Sequence, residues 1–123
     1  MKGLIVNALL KDFNVEVQFS ERAIKDLAGY DQSTREQLVA LIIKRARNGP
    51  LIRPKGVGKP LGKKLKGFTG IKAKQLNIRI VYRPVESAGM ILMQVIVIGP
   101  RDKDAVYRKA VYRLYEFEKE MGE

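Results

Sequence analysis

Residues 90–98 have the sequence MILMQVIVI, and this stretch decides the fold. All but one of its residues are apolar, which is typical of a strand that is covered on both of its faces. Gly99-Pro100 follows directly and ends the pattern, since neither residue continues a strand well. The stretch is therefore predicted to be a strand of a sheet that is covered on both faces.

The sequence just upstream predicts further strands. Residues 78–83, IRIVYR, alternate so that Ile78, Ile80 and Tyr82 form one apolar face. A turn at residues 86–89 separates this strand from the stretch at 90–98. Residues 64–68 lead into a strand predicted over residues 71–76. These segments form a strand-rich central region.

Helices are predicted on both sides of this region. Residues 15–19, VEVQF, alternate as a strand, and Ser20 is a candidate N-cap for a helix over residues 21–30. Ser33-Thr34-Arg35-Glu36 has the form of a capping box that opens a second helix, which Asn48-Gly49-Pro50 ends. Asp102 is expected to cap a last helix to about Met121. The element order is β-α-α-β-β-β-α in an α+β fold, with one domain over residues 14–123 and an N-terminal extension over residues 1–13.

The composition excludes much enzyme chemistry. The chain has 123 residues, 24 Lys+Arg, 13 Asp+Glu, and no His or Cys. Disulfides, thiolate metal sites and Ser-His-Asp or Cys-His catalysis are therefore excluded, and we expect no metal and no cofactor. The net charge of +11 favours a polyanionic partner. Residues 37–85 form one long region that contains Lys and Arg residues but not one Asp or Glu.

No targeting segment is expected. The apolar stretch at residues 4–10 is far shorter than the roughly 20 residues that a transmembrane helix needs. It also lacks a clear signal-peptide cleavage site. The expected location is the cytoplasm.

Three cations of the strand region are predicted to lie together. In a strand, Lys72 and Lys74 project to one face, and pairing with the next strand brings Arg79 to the same side. Such a group repels itself unless it binds an anion. The structural alternative is a set of independent surface cations on an edge hairpin. Arg101, after the apolar strand, and Tyr107, in the last helix, are further candidates, although Tyr107 alone is equally typical of a half-buried helix residue.

The element order and several segments together resemble the RelE branch of the RelE/ParE toxin superfamily. The resemblance covers about residues 14–115. It is carried by Phe19-Ser20-Glu21-Arg22-Ala23, Leu65-Lys66-Gly67, Lys72-Ala73-Lys74, Ile78-Arg79-Ile80-Val81-Tyr82, and Val97-Ile98-Gly99-Pro100-Arg101 followed by Val106-Tyr107. It implies a curved, largely antiparallel sheet packed by a helical hairpin, with a C-terminal helix. It also implies a toxin that cleaves messenger RNA in the ribosomal A site and is neutralised by an acidic antitoxin.

The resemblance also implies which residues act. The catalytic set carries over to Lys72, Lys74, Arg79, Arg101 and Tyr107. RNA is expected to contact a second set of cations: Lys63, Lys64, Lys66 and Arg83. Cleavage without a metal requires attack by the neighbouring 2′-hydroxyl, with a base, an acid and cations around the phosphate.

Roles within this set follow from side-chain chemistry. Lys72 and Arg79 are expected to hold the non-bridging phosphate oxygens. The general base is Lys74 or Tyr107, and Tyr107 is alternatively a stacking platform for bases. Arg101 is expected to act on the leaving group.

Two other functions remain open from the sequence. A ParE-like poison of DNA gyrase would have no catalysis, so Lys74, Arg101 and Tyr107 would be dispensable for its toxicity. A non-toxic RNA-binding module would be harmless when overexpressed and would bind RNA without cutting it.

Overall fold

The computed structural model describes residues 7–10 and 13–122. Their helices and strands are β1 (Asn7–Leu10), β2 (Val15–Phe19), α1 (Glu21–Ala28), α2 (Gln32–Asn48), β3 (Thr69–Ala73), β4 (Ile78–Ser87), β5 (Met90–Pro100) and α3 (Ala105–Met121). Short 3₁₀ turns lie at Lys74–Leu76 and Asp102–Asp104. None of the helices within the described ranges is long and apolar enough to span a membrane.

The predicted α+β order is confirmed from β2 onward. A further strand, β1, lies within the predicted extension and pairs antiparallel with β2. Of the other residues of that extension, 1–6 and 11–12 lie outside the described residues, and Phe13 lies within them. The one-domain boundary at residue 14 stays a prediction.

The sheet has the strand order β1-β2-β5-β4-β3. The β2–β5 pair is parallel and the other three pairs are antiparallel, as expected of a largely antiparallel sheet. The prediction that residues 90–98 form a strand covered on both faces is confirmed, because β5 contributes residues to the cores on both faces of the sheet. β5 lies between β2 and β4. Met93, Val95 and Val97 are completely buried.

Two cores cover the two faces of this sheet. Helices α1 and α2 pack on the face formed by Ile78, Ile80 and Tyr82, as the alternation predicts. The opposite face, which carries Val81, packs against α3 through Val106, Ala110 and Phe117. Lys72 and Arg79 are register partners on the face opposite α1 and α2, whereas Lys74 follows the end of β3, so the expectation that the three cations crowd one face is wrong for Lys74. Arg79 itself is only 9% exposed.

The predicted N-cap is confirmed at one helix and is wrong at the other two. The Ala23 N–H donates to Ser20 Oγ at 3.1 Å, so Ser20 caps α1 as predicted. The predicted capping box at Ser33 is wrong, because α2 begins at Gln32 and the Asp31 carboxylate accepts from the Thr34 N–H at 2.9 Å. This hydrogen bond holds the pKa of Asp31 below its ordinary value. Asp102 does not cap α3, because a 3₁₀ turn precedes the helix and Asp104 takes the cap position.

The strand predicted over residues 71–76 is shorter than expected. β3 ends at Ala73, and the chain then turns through a 3₁₀ segment to Asn77, which has a left-handed φ of 58°. Asparagine adopts this conformation more readily than most residues, so it allows the tight connection to β4. Lys74 consequently lies in the turn rather than in the strand. Residues 64–68, which lead into β3, form turns.

A buried ion pair joins α1 to α3. Arg113 Nη1 donates to Asp26 Oδ2 at 2.7 Å, and Arg113 Nη2 donates to Asp26 Oδ1 at 3.0 Å. The same groups bond to β5 beyond its pairing with β2: Ile98 N–H donates to Asp26 at 3.0 Å, and Ile96 C=O accepts from Arg113 at 2.9 Å. The ion pair thus supplies hydrogen-bond partners for backbone groups of β5 in the part of the strand that extends past its pairing with β2.

Candidate functional site

A groove of about 780 Å³ lies between the segment 59–65, strand β3 and the first turns of α3. Its lining includes Gly70 and Tyr107. Five cationic side chains line it as well: Lys59, Lys63, Lys64, Lys72 and Arg108. One carboxylate, that of Asp104, faces the same space. A groove with this charge is suited to a phosphate-bearing chain.

Strand register places two of the predicted catalytic residues side by side. Lys72 on β3 is the Cα partner of Arg79 on β4, and Arg79 is the partner of Gly99 on β5. Paired residues of antiparallel strands point to the same face, so the Lys72 and Arg79 side chains start as neighbours. Arg79 is largely buried, and its Nη1 donates to Ile78 C=O at 3.2 Å.

Helix α3 approaches this row closely. A Cβ at Gly99 would lie 3.8 Å from Val106 Cγ2, an ordinary van der Waals contact, so the start of the helix packs beside Gly99. The next residue, Tyr107, is half-buried against the core under α3 and also lines the groove. Tyr107 therefore combines the two roles that the sequence left open, a packed helix aromatic and a groove residue.

Lys74 and Arg101 lie at the same end of the sheet but outside the groove lining. Lys74 lines a separate hollow beside α2, with Gln37 and Lys44, and Lys72 lines that hollow too. Arg101 is exposed, and its backbone N–H donates to Asn77 C=O at 3.0 Å. Of the five predicted catalytic residues, Lys72 and Tyr107 thus line the groove, and the largely buried Arg79 is the register neighbour of Lys72. Lys74 and Arg101 lie beside the β3–β4 turn.

The cations predicted to bind RNA have different surroundings. Lys63 and Lys64 line the groove, and Lys66 is exposed two residues further on. Arg83 is held by packing instead: its Nε and Nη2 donate to Gln94 Oε1 at 3.0 and 2.9 Å. Its guanidinium also lies 5.7 and 5.1 Å from the ring centroids of Phe68 and Phe117. A contact between Arg83 and RNA stays a prediction.

Sequence reasoning did not single out three of the groove residues: Lys59, Asp104 and Arg108. Lys59 lies in a Gly- and Pro-rich segment without periodicity, so nothing indicated its direction. Asp104 and Arg108 lie three residues before and one residue after Tyr107. Their proximity to a candidate catalytic tyrosine was the available signal.

Comparison with known proteins gives the fold and site a context. No protein-family model matches the chain, and no curated protein sequence matches it. Among solved structures, it is similar to a mutant of the E. coli toxin RelE in the free state, with a TM-score of 0.62 and 26% identity over 80% of this chain and 95% of that one. The chain is thus similar in sequence and in fold to RelE toxins, in agreement with the resemblance described above.

More distant structures share the fold. The intact E. coli RelBE toxin–antitoxin complex matches with a TM-score of 0.57 and 24% identity, covering 71% of this chain and 96% of that one. A YoeB/ParE toxin from Agrobacterium tumefaciens matches with a TM-score of 0.52 and 22% identity, covering 69% and 97%. The RelE-like fold inferred from the resemblance is confirmed.

Proposed function

We propose that this chain is a toxin of the RelE/ParE superfamily and a metal-independent endoribonuclease that cleaves messenger RNA and so stops translation, as the RelE branch does. The observation that carries this proposal is the groove in which Lys72, the register neighbour of the buried Arg79, lies with Tyr107 among further cations. Cations hold a phosphate, and an aromatic ring beside them stacks a base. This combination suits cleavage of a single RNA strand, whereas a ParE-like gyrase poison performs no catalysis and needs no such set.

The reaction begins with attack of a ribose 2′-oxygen on the adjacent phosphorus. Lys72 and Arg79 stabilise the charge that develops on the non-bridging oxygens. Tyr107 stacks a neighbouring base, which separates the two nucleotides and favours in-line attack. The products are a 2′,3′-cyclic phosphate and a 5′-hydroxyl. Lys74 and Arg101, at the end of the sheet beside the groove, complete the catalytic set that the resemblance implies.

The proposed substrate is messenger RNA in the ribosomal A site, and the proposed location is the cytoplasm. Cations that contact phosphates bind RNA backbones in general and select little sequence. We therefore expect the ribosome to supply the substrate geometry and free RNA to be cut poorly.

The proposed protein partner is an antitoxin. The RelBE complex among the similar structures contains one. An acidic segment would fit this chain, because residues 37–85 carry cations and no Asp or Glu. Such a segment would cover the groove and exclude RNA from it.

Induced expression in a bacterium with primer extension on an abundant message tests the proposal. The wild type should arrest growth and produce new cuts at codon positions. Lys72→Ala and Tyr107→Ala should lose most cutting, whereas Tyr107→Phe should keep most of it, because the ring that stacks is retained. Matched controls are Lys109→Ala and Tyr112→Ala, since both residues are exposed on α3 outside the groove lining.

Other outcomes would point to the remaining functions. Arrest that persists in the Lys72 and Tyr107 variants, with DNA damage and no cuts, would contradict the proposal and favour a gyrase poison. Harmless overexpression with salt-sensitive RNA binding and no product would favour a binding module.

A further inference from the structure

The basic surface continues beyond the groove. Two further hollows, of about 480 and 420 Å³, lie where β3 faces α2 and residues 53–59. Among the described residues that line these hollows, none is an Asp or a Glu. We call their cations the α2-side surface: Lys44, Arg45, Arg53, Lys59, Lys72 and Lys74.

The groove and the α2-side surface share two exposed cations. Lys72 lines the groove and both hollows, and Lys59 lines the groove and the larger hollow. β3 is the last strand of the sheet, so none of the described strands pairs with its outer edge. A polyanion bound in the groove can therefore cross this edge at Lys72 and continue towards α2.

Two cations of the α2-side surface are held in place by buried groups. The Thr69 hydroxyl, which is fully buried, donates to Lys59 C=O at 2.7 Å and fixes this backbone beside β3. A Cβ at Gly58 would lie only 2.9 Å from Thr69 Oγ1, so glycine permits the close approach. Arg45 Nη1 donates to the Tyr82 hydroxyl oxygen at 3.1 Å. The surface is thus partly pre-organised, unlike a set of independent flexible side chains.

The charge of this surface is not balanced within the fold. None of the ion pairs found between described residues includes one of its cations. Cations assembled in this way repel one another, and a bound polyanion relieves the repulsion. Because the surface continues from a groove that is proposed to hold RNA, the polyanion that fits both is one RNA strand.

We propose that the α2-side surface binds the RNA strand beyond the nucleotides in the groove, an inference that rests on the ribonuclease function proposed above. The strand leaves the groove over the edge of β3 at Lys72. Its phosphates then contact Lys59, Lys44 and Arg53 in the larger hollow beside α2. Contacts of this kind add affinity and fix the path of the strand but select little sequence.

Fluorescence polarisation with uncleavable RNA tests this path. The probes are labelled 2′-O-methyl oligouridines of about 4 and about 12 nucleotides, which lack the attacking hydroxyl. We expect Lys44→Gln with Arg53→Gln to leave binding of the short probe unchanged. On the long probe, the slope of log K against log salt concentration should fall by about 1.4, since each lost phosphate contact lowers it by about 0.7. Most of the affinity that the wild type gains from the longer probe should be lost.

The matched control removes the same charge elsewhere. Lys25→Gln with Lys109→Gln changes two exposed lysines, on α1 and α3, that line neither the groove nor the α2-side hollows. This variant should keep the wild-type dependence on probe length. An equal loss in the control would overturn the proposal, because net charge alone would then explain it. Melting curves of each variant exclude loss of folding as the cause.

The other outcomes also decide the matter. An equal loss on both probes would refute a continuous path, as would a wild type that gains no affinity from the longer probe. Unchanged RNA binding by Lys44→Gln with Arg53→Gln, together with weaker binding of a glutamate-rich peptide, would assign the surface to an acidic protein instead.

The two proposals fail in different ways. Binding to an uncleavable probe does not depend on cutting, which is measured separately as cleavage of a message on programmed ribosomes. A wild type that cuts no message but shows the expected loss would remove the ribonuclease function while the RNA path stood. A wild type that cuts, with a Lys44→Gln and Arg53→Gln variant that binds the long probe normally, would refute this inference alone.

Discussion

Replacing Arg113 by methionine should destabilise the fold strongly, because it breaks the Asp26–Arg113 pair. Methionine keeps much of the side-chain volume but cannot donate a hydrogen bond. The change removes two hydrogen bonds to Asp26 and one to Ile96 C=O. The Asp26 carboxylate then stays within the protein with the Ile98 N–H as its described donor.

The magnitude follows from burial. The two side chains are 10% and 14% exposed, so neither charge regains full hydration when its partner is lost. Removing one partner of a buried pair costs about 3–5 kcal/mol. Whole domains are stable by about 5–15 kcal/mol, so this loss is a large fraction of the total. For a chain of this size it lowers Tm by roughly 10–20 °C.

Urea unfolding followed by circular dichroism measures this loss. Arg22→Ala is the control, because the Arg22–Glu116 pair is exposed on both sides and should be worth less than about 1 kcal/mol. Changing both residues, Asp26→Leu with Arg113→Met, should recover part of the loss, since no unpaired charge then remains. A loss for Arg113→Met no larger than that for Arg22→Ala would refute this reasoning.

Three smaller predictions follow from single contacts. Tyr82→Phe should cost about 1–3 kcal/mol in unfolding free energy, because the buried Tyr82 hydroxyl donates to Pro50 C=O at 2.6 Å. Burial raises the pKa of Tyr82 above its ordinary 10.0, so the contribution of the neutral hydroxyl to stability is fully present below pH 10 and is lost as the pH rises through the raised pKa. In urea unfolding, the difference in stability between the wild type and Tyr82→Phe should therefore shrink at alkaline pH. Ser20→Ala should cost about 1 kcal/mol, measured in the same way, through loss of the α1 cap. Lys64→Ala should lower the salt dependence of single-stranded RNA binding, measured by fluorescence polarisation, by about 0.7 in the slope of log K against log salt concentration; an unchanged slope would mean that Lys64 contacts no phosphate.

The sequence predicted those parts of the fold that rest on local pattern. The run at residues 90–98 was sufficient to predict a strand covered on both faces, because a strand with one face in water would alternate apolar and polar residues. Ser20 as a cap and the alternation of Ile78, Ile80 and Tyr82 were predictable for the same reason. Each of these signals lies within a few residues of the structure that it specifies.

Features set by distant contacts were not predictable. Arg113 has the pattern of a surface cation, and only its meeting with Asp26, 87 residues away, explains its burial. The end of β3 at Ala73 depends on how far β4 can pair before the turn at Asn77, so alternation alone placed Lys74 in the strand. The position of α3 over the sheet, which decides the groove, is likewise a tertiary contact.

The ion pair and the groove are linked through α3. Arg113 bonds to Ile96 C=O and Val106 packs beside Gly99, so two contacts fix the helix along β5. Tyr107 enters the groove one residue beyond the second contact. A slip of α3 by one turn would move Tyr107 by about 5.4 Å, more than a catalytic geometry tolerates. Arg113, far from the groove, is thus the residue that keeps the start of α3 in register with Lys72 and Arg79, and the same hydrogen bonds that stabilise the fold hold the proposed site together.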